Sequence, residues 1–343
     1  MLDSDISGES DESSIPTNIV VYTPQEIMRI GIRRFYTAKR IKRAKTKVNI
    51  ERFVFWYGAE PKVVAQIFED LQRLDKDDEA YLPPEDANIM HFLMALHHLK
   101  RYPKEMERES QFDIAHCTGR DLVWFFLEKI QGLKPVKIFW PDHNYGDDIW
   151  VITVDGIHCW INEPRHPEWS QDSRYYSHKY GKAGLVYELG IAISESRLVW
   201  MRGPFPAGES DRRVFRTYGL KDKLGAIKKM GIADNGYTGY PELLSTPNEA
   251  LDSRGVKKFK SRALKRHENF NNMLKQFDCL DGRFRHREDK FKICFDSCAV
   301  ICQYKVELTL PLYDVYIEDL ENADDEILSE ASSEEESSSD EEE

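Results

Sequence analysis

Near Pro135 the hydrophobic pattern changes period, and the change sets two kinds of architecture side by side. Upstream, apolar residues recur at helical spacing. Residues 61–74 carry Val63, Val64, Ile67, Phe68 and Leu71; residues 85–99 carry Ile89, Phe92, Leu93, Leu96 and Leu99. Residues 118–133 carry Leu122, Val123, Phe125, Phe126 and Ile130, with Thr118 as a candidate cap. An earlier helix should start at Thr23-Pro24-Gln25-Glu26, where Thr caps, Pro takes the first helical position and Glu follows three residues after the cap. Downstream, short β-branched and aromatic runs at 136–140, 148–154, 184–193, 198–201 and 227–233 read as strands. Segments 211–220, 261–277 and 289–303 read as helices. Strands with helices packed on them imply an α/β layer fold. The expected organisation is an acidic disordered segment at 1–18, a helical domain at 19–135, an α/β domain at 136–316 and a disordered acidic tail at 317–343.

Within the helical part, residues 102–130 offer a candidate helix-turn-helix with its turn at 112–117. Against a DNA-reading role, Glu105, Glu107 and Glu109 on its first helix repel phosphate. A helical docking domain is the competing reading.

Charge is unevenly spread. The 343 residues have a formal charge of −12, yet residues 1–14 hold five acids and 317–343 hold fourteen, with no Lys or Arg in either stretch. Without those nineteen, 41 acids face 48 bases, so the body is mildly basic and compatible with a nucleic-acid partner. The sequence has no apolar run of 18 residues, and its N-terminus is acidic, which argues against a membrane span and a secretory signal. Between Arg29 and Lys47 stand nine Lys/Arg and no acid. A merely solubilising helix usually carries acids four residues away. The dense part, Lys39, Arg40, Lys42 and Arg43, therefore reads as a phosphate-contacting arm, a nuclear-import signal or both, with a solvated face as the bland alternative.

None of the six cysteines forms a C-x-x-C pair, so a zinc site is poorly supported. Cys294, Cys298 and Cys302 repeat every four residues and should form a buried stripe on one helix face, with reduced thiols.

Three carboxylates occupy informative places. Asp155 follows the apolar run Ile149–Val154 and precedes Gly156; Asp234 follows Met230-Gly231-Ile232-Ala233 and precedes Asn235-Gly236-Tyr237; Glu268 lies in an expected helix. Acids at strand ends project from a sheet rim, where ligands of α/β folds gather. Two such Asp residues joined by a helical Glu could hold two hard divalent cations roughly 4 Å apart, as in-line phosphoryl displacement uses. Oxygen donors fit Mg²⁺ or Mn²⁺ rather than zinc. Taken singly, each acid also has a structural explanation, since Asp-Gly and Asn-Gly are ordinary turn dipeptides and Glu268 sits among Lys265, Arg266 and Lys275.

The segment Val154-Asp155-Gly156-Ile157-His158-Cys159, with Glu163-Pro164 after it, resembles the first-aspartate motif of PIF/Harbinger-type DDE transposases. So does the pairing of Gly203-Pro204-x-Pro206-x-Gly208-x-x-Asp211 with Ala233-Asp234-Asn235-Gly236-Tyr237. Glu268, followed by Leu274-Lys275 and then Arg283-Phe284-Arg285, completes the order. The sequence departs from that pattern at His267, where an apolar residue is usual, and in a long link at 276–282. The resemblance covers about residues 135–310. It implies an RNase H-like mixed sheet flanked by helices, a DDE triad of Asp155, Asp234 and Glu268, and two divalent cations, Mg²⁺ or Mn²⁺, that serve DNA cleavage and strand joining. It also makes Asp211 a candidate additional metal ligand, or the second acid under a different assignment, and implies a separate Myb-like DNA-binding partner; the import reading of the basic segment adds a nuclear location. Lys257, Lys258, Lys260, Arg262, Lys265 and Arg266 precede Glu268 and are candidate phosphate contacts. The alternative function is a domesticated, non-catalytic DNA-binding or adaptor protein on the same scaffold. A further alternative has the acidic tail folding over the basic body.

Overall fold

The computed structural model describes residues 19–142, 145–163, 172–248 and 250–316. The expected disordered ends, 1–18 and 317–343, and Pro164 of the first-aspartate motif lie outside them.

Eight helices come first: α1 (Pro24–Ile32), α2 (Ala38–Arg43), α3 (Thr46–Tyr57), α4 (Pro61–Arg73), α5 (Ile89–Arg101), α6 (Glu105–Phe112), α7 (His116–Gly132) and the single turn α8 (Lys134–Lys137). The capping box at Thr23 forms as its sequence requires, with the Glu26 carboxylate accepting the Thr23 N–H at 2.9 Å. Helix α7 starts earlier than Thr118, at His116, and has no side-chain cap. Helices α6 and α7 are joined through Asp113, whose positive φ of 56° turns the chain. The acids of α6 are partly spent locally: Glu107 accepts the Lys104 N–H at 3.0 Å and Glu109 the His116 N–H at 3.1 Å.

Next come β1 (Trp150–Trp160), β2 (Tyr176–Ser177), β3 (Lys182–Ala192), β4 (Leu198–Pro206), α9 (Asp211–Thr217), α10 (Leu220–Ile227), β5 (Met230–Ala233) and β6 (Leu244–Ser245). Helices α11 (Arg254–Lys275), α12 (Asp278–Asp281) and α13 (Glu288–Leu308) follow. Strand β3 pairs antiparallel with β1, β2 and β4, while β5 runs parallel to β1 and β6 parallel to β5. An antiparallel meander extended by two parallel strands is the expected RNase H-like mixed sheet of six strands. Helices cover both faces. Phe215, Leu220 and Leu224 of α9–α10 pack against Val151, Val154 and Ala233, while α11–α13 bury Phe270, Leu274 and Phe295 with Ile157, Tyr187 and Leu189.

Helix α13 joins the two halves. Phe291, Phe295, Val300 and Ile301 are fully buried, each contributing about 1.5–3 kcal/mol relative to exposure. Its polar groups bond to the N-terminal helices: Ser297 Oγ donates to Leu127 O at 2.9 Å, and Tyr304 Oη to Asp70 Oδ2 at 2.6 Å. Cys294, Cys298 and Cys302 are the buried stripe their spacing indicated. No described helix is long and apolar enough to cross a membrane.

Three sequence expectations are corrected. Residues 136–140 are not a strand: Lys134 begins the turn of α8, which runs to Lys137, and Val136 and Phe139 are exposed instead of lining a sheet. The helix expected at 211–220 is interrupted at Tyr218-Gly219, beyond which α10 runs to Ile227, the residue read as the first of a strand. Asp155 is not at a strand end, because β1 continues six residues past Val154. The Asp155-Gly156 pair stays in the ladder with Leu189 and Glu188 as partners and makes no turn.

Candidate active site

Backbone register brings the first two acids together. In the parallel β1–β5 pair, Val154 lies opposite Ala233, so Asp155 and Asp234 are the next residues on adjacent strands. Asp155 is the middle of a strand with neighbours on both sides, whereas Asp234 is the exit of β5 and accepts the Gly236 N–H at 2.9 Å. Asp211 arrives from the first turn of α9, which Ser210 caps. Its carboxylate lies against two glycines. A Cβ at Gly156 would come within 3.0 Å of Asp211 Oδ1, and one at Gly236 within 2.8 Å of Asp211 Oδ2 and 3.0 Å of Asp234 Oδ1. Glycine at these places lets the Asp211 carboxylate reach the β1 backbone and the Asp234 carboxylate.

Electrostatics follow from that crowding. Burial, then the charges of Asp234 and Asp211, pushes the Asp155 carboxyl up to about 6, against the opposing effects of the Gly156 N–H bond and the nearby Lys179. Asp211 is raised too, by burial and by Asp234. Asp155 also accepts a hydrogen bond from Asn271 Nδ2 of α11 at 2.9 Å. A fourth acid, Glu188, faces Gly156 across the β1–β3 ladder, is buried, and is pushed up to about 8 chiefly by burial. One of its oxygens accepts from Trp200 Nε1 at 3.0 Å, while Oε1 and the neighbouring buried Tyr237 hydroxyl have no partner. Sequence reasoning passed over Glu188, although a lone acid inside the apolar run Leu185–Ile193 was its signal.

Glu268 is placed differently. It is exposed on α11, three residues before Asn271, and makes no hydrogen bond or ion pair with the three Asp residues. Among the described residues, no three His, Cys, Asp or Glu side chains stand close enough to surround one metal ion. The donor chemistry nevertheless fits a hard divalent cation. Asp234 and Asp211 raise the proton affinity of Asp155, and Asp234 that of Asp211, with Lys179 offsetting this only in part; the adjacent amide Oδ1 of Asn271 is buried without a partner, and no Cys or His belongs to the cluster.

The expected phosphate contacts divide. Lys258 and Lys265 are exposed on α11, and Lys257 and Arg262 are half-buried. Lys260 and Arg266 are corrected. Lys260 is buried and holds both Asp252 carboxylate oxygens at 2.7 and 2.8 Å together with Thr246 O, so its donors are occupied within the fold. Arg266, also buried, donates to the Ala192 and Glu195 carbonyls at the end of β3. Lys39, Arg40, Lys42 and Arg43 of α2 are all exposed. The departure at His267 has a structural cause: the ring is buried, its Nδ1 lies 3.0 Å from Thr153 Oγ1, and burial lowers its proton affinity to about 3, so it packs as a neutral group.

Residues 154–303 match the family model described as DDE superfamily endonuclease, a span that includes Asp155, Asp211, Asp234 and Glu268. No curated protein matches the chain, and no solved structure does. The match points to nuclease or transposase activity for that domain.

Proposed function

We propose that this protein is a divalent-metal-dependent DNA endonuclease of transposase type, of the PIF/Harbinger branch. Asp155, Asp234 and Glu268 form its acidic triad, with Asp211 as a further ligand. The observation that carries this reading is the placing of Asp155 and Asp234 at neighbouring positions where β1 and β5 run side by side, with Asp211 brought against Gly156 and Gly236 beside them. Burial, and then repulsion by Asp234 and Asp211, lifts the proton affinity of Asp155, and a bound cation would offset the repulsion.

The acids would hold two Mg²⁺ or Mn²⁺ ions, with Glu268 reaching them by turning its side chain inward from α11. Bound ions would supply Lewis acidity and neutralise charge as the attacking and leaving oxygens exchange at phosphorus. Asp155 must be ionised to hold a cation, so cation affinity rises with pH through about 6, its value in the fold. Lys257, Lys258, Arg262 and Lys265 hold the DNA backbone beside the acids without reading its sequence. Lys39, Arg40, Lys42 and Arg43 form a second phosphate-contacting arm and serve nuclear import, residues 19–135 engage DNA or a Myb-like partner, and residues 136–316 cut. With Mn²⁺ and supercoiled DNA, the native chain should nick and Asp155→Asn should not; equal nicking would end this assignment.

The non-catalytic adaptor reading has one observation in its favour: Glu268 is exposed, and among the described residues no three such side chains stand close enough to hold one ion. Mn²⁺ titration separates the two, because the enzyme must bind cations through Asp155 and the adaptor need not.

A further inference from the structure

Beside the acids, Asn271 has an unfinished set of hydrogen bonds. Its Nδ2 donates to Asp155 Oδ2 at 2.9 Å, while its Oδ1 is buried with no partner. Buried amide oxygens are almost always satisfied, so a missing partner needs a cause. A half-turn of the amide about its Cβ–Cγ bond exchanges oxygen and nitrogen in nearly the same volume. Oδ1 would then stand close to 2.9 Å from Asp155 Oδ2, where Nδ2 stands now. Two oxygens at neighbouring corners of an octahedral cation, each bonded at about 2.0–2.1 Å, are themselves about 2.9 Å apart. The spacing already present between the two side chains is thus the spacing of two ligands on one Mg²⁺.

We propose that Asn271 is a ligand of the cation held by Asp155, its amide donating N–H to the carboxylate in the cation-free protein and turning to present Oδ1 when the ion binds. This rests on the cation-dependent endonuclease reading and extends it, because α11 then supplies a ligand from a residue that already touches the acid cluster. The amide suits both states. In the cation-free protein it compensates the Asp155 charge with a donor, and in the bound protein it offers a neutral hard oxygen.

The test is Mn²⁺ affinity of the full chain, read from the free-ion signal in electron paramagnetic resonance, with no DNA present. Asn271→Leu removes both donor and oxygen and should weaken binding about tenfold or more, within the range for losing a ligand or its support. Asn271→Asp keeps an oxygen ligand but, once ionised, cannot donate to Asp155, and should bind at least as tightly as the native chain. If Asn271 merely orients Asp155, both variants will weaken together, and the proposal fails. It fails too if Asn271→Leu binds normally. Asp155→Asn belongs in the same titration. Lost binding there with normal binding by Asn271→Leu overturns the Asn271 assignment alone. Normal binding by Asp155→Asn overturns the endonuclease reading, and the Asn271 assignment with it.

Discussion

Asp155→Asn should make the cation-free protein more stable at neutral pH, since the carboxylate is held where the fold disfavours its charge. The Asp155 pKa is about 6, against 3.8 for an ordinary aspartate. That gap is about two units, worth about 3 kcal/mol at 1.36 kcal/mol each. The site is partly open to water, and an amide at 155 has one acceptor oxygen for two incoming donors, the Gly156 N–H and Asn271 Nδ2. A lost hydrogen bond costs about 1 kcal/mol. The net gain is then about 1–2 kcal/mol, or roughly 2–5 °C in Tm. The sign follows from linkage: the folded state binds the proton more tightly than the unfolded chain. Native stability therefore falls as pH rises from about 4 to about 6, and the penalty is complete above that. Urea unfolding with EDTA should show the variant more stable at pH 7.5, with the advantage gone or slightly reversed at pH 4. A difference that ignores pH, or a variant less stable at both values, would refute the electrostatic account. Added Mn²⁺ should then stabilise the native chain by mass action and leave the variant unmoved.

The two classes of lysine on α11 should behave oppositely. Lys260→Met leaves the Asp252 carboxylate with only the Asn248 N–H and should cost about 1–3 kcal/mol in chemical denaturation. Lys258→Ala and Lys265→Ala should change stability by less than about 0.5 kcal/mol, yet each should lower the log–log salt slope of DNA binding by about 1; unaltered slopes would remove α11 from the DNA path. The described chain runs to Tyr316 beside this helix, where Tyr313 Oη donates to Arg262 O at 2.6 Å. Deleting the fourteen-acid segment 317–343 should therefore raise DNA affinity several-fold at low salt, with the gain fading as salt screens it. Unchanged affinity at low salt would count against any contact between tail and body.

How much of this could be read beforehand depended on whether a residue's role is local. Thr23-Pro24-Gln25-Glu26 carries all the parts of its cap in four residues, and the cap formed. Asp234 ends a short strand and caps the turn that follows, both local signals. Asp155 misled about its position because Asp-Gly usually ends a strand. Here the ladder to β3 continues through both residues, which only knowledge of the partner strand could show. Lys260 and Arg266 are chemically indistinguishable from Lys258 and Lys265 in a string of bases, and which of them is buried is decided by the helix phase against the sheet. The same phase singles out Asn271 from Asn269 and Asn272. Glu188 was visible as an acid among apolar residues, but the register opposite Gly156, against which Asp211 lies, is what links it to the acids.

Helix α11 is fixed along its length, and this decides how Glu268 can take part. Arg266 ties one turn to the carbonyls of Ala192 and Glu195, and His267 packs against Thr153 of β1. Asn271 holds Asp155, and Lys275 donates to the His158 and Leu280 carbonyls. Sliding or rotating the helix to carry Glu268 inward would break bonds on several successive turns, most of them buried, each break leaving an unsatisfied polar group worth about 1–3 kcal/mol. Rotation of the Glu268 side chain breaks none of them and costs on the order of 1 kcal/mol at most, and a turn of the Asn271 amide gives up only its own bond to Asp155. Closure of the acid site around cations is therefore a matter of rotamers at Glu268 and Asn271 on a stationary scaffold, and it should leave backbone amide protection along α11 unchanged when Mn²⁺ binds.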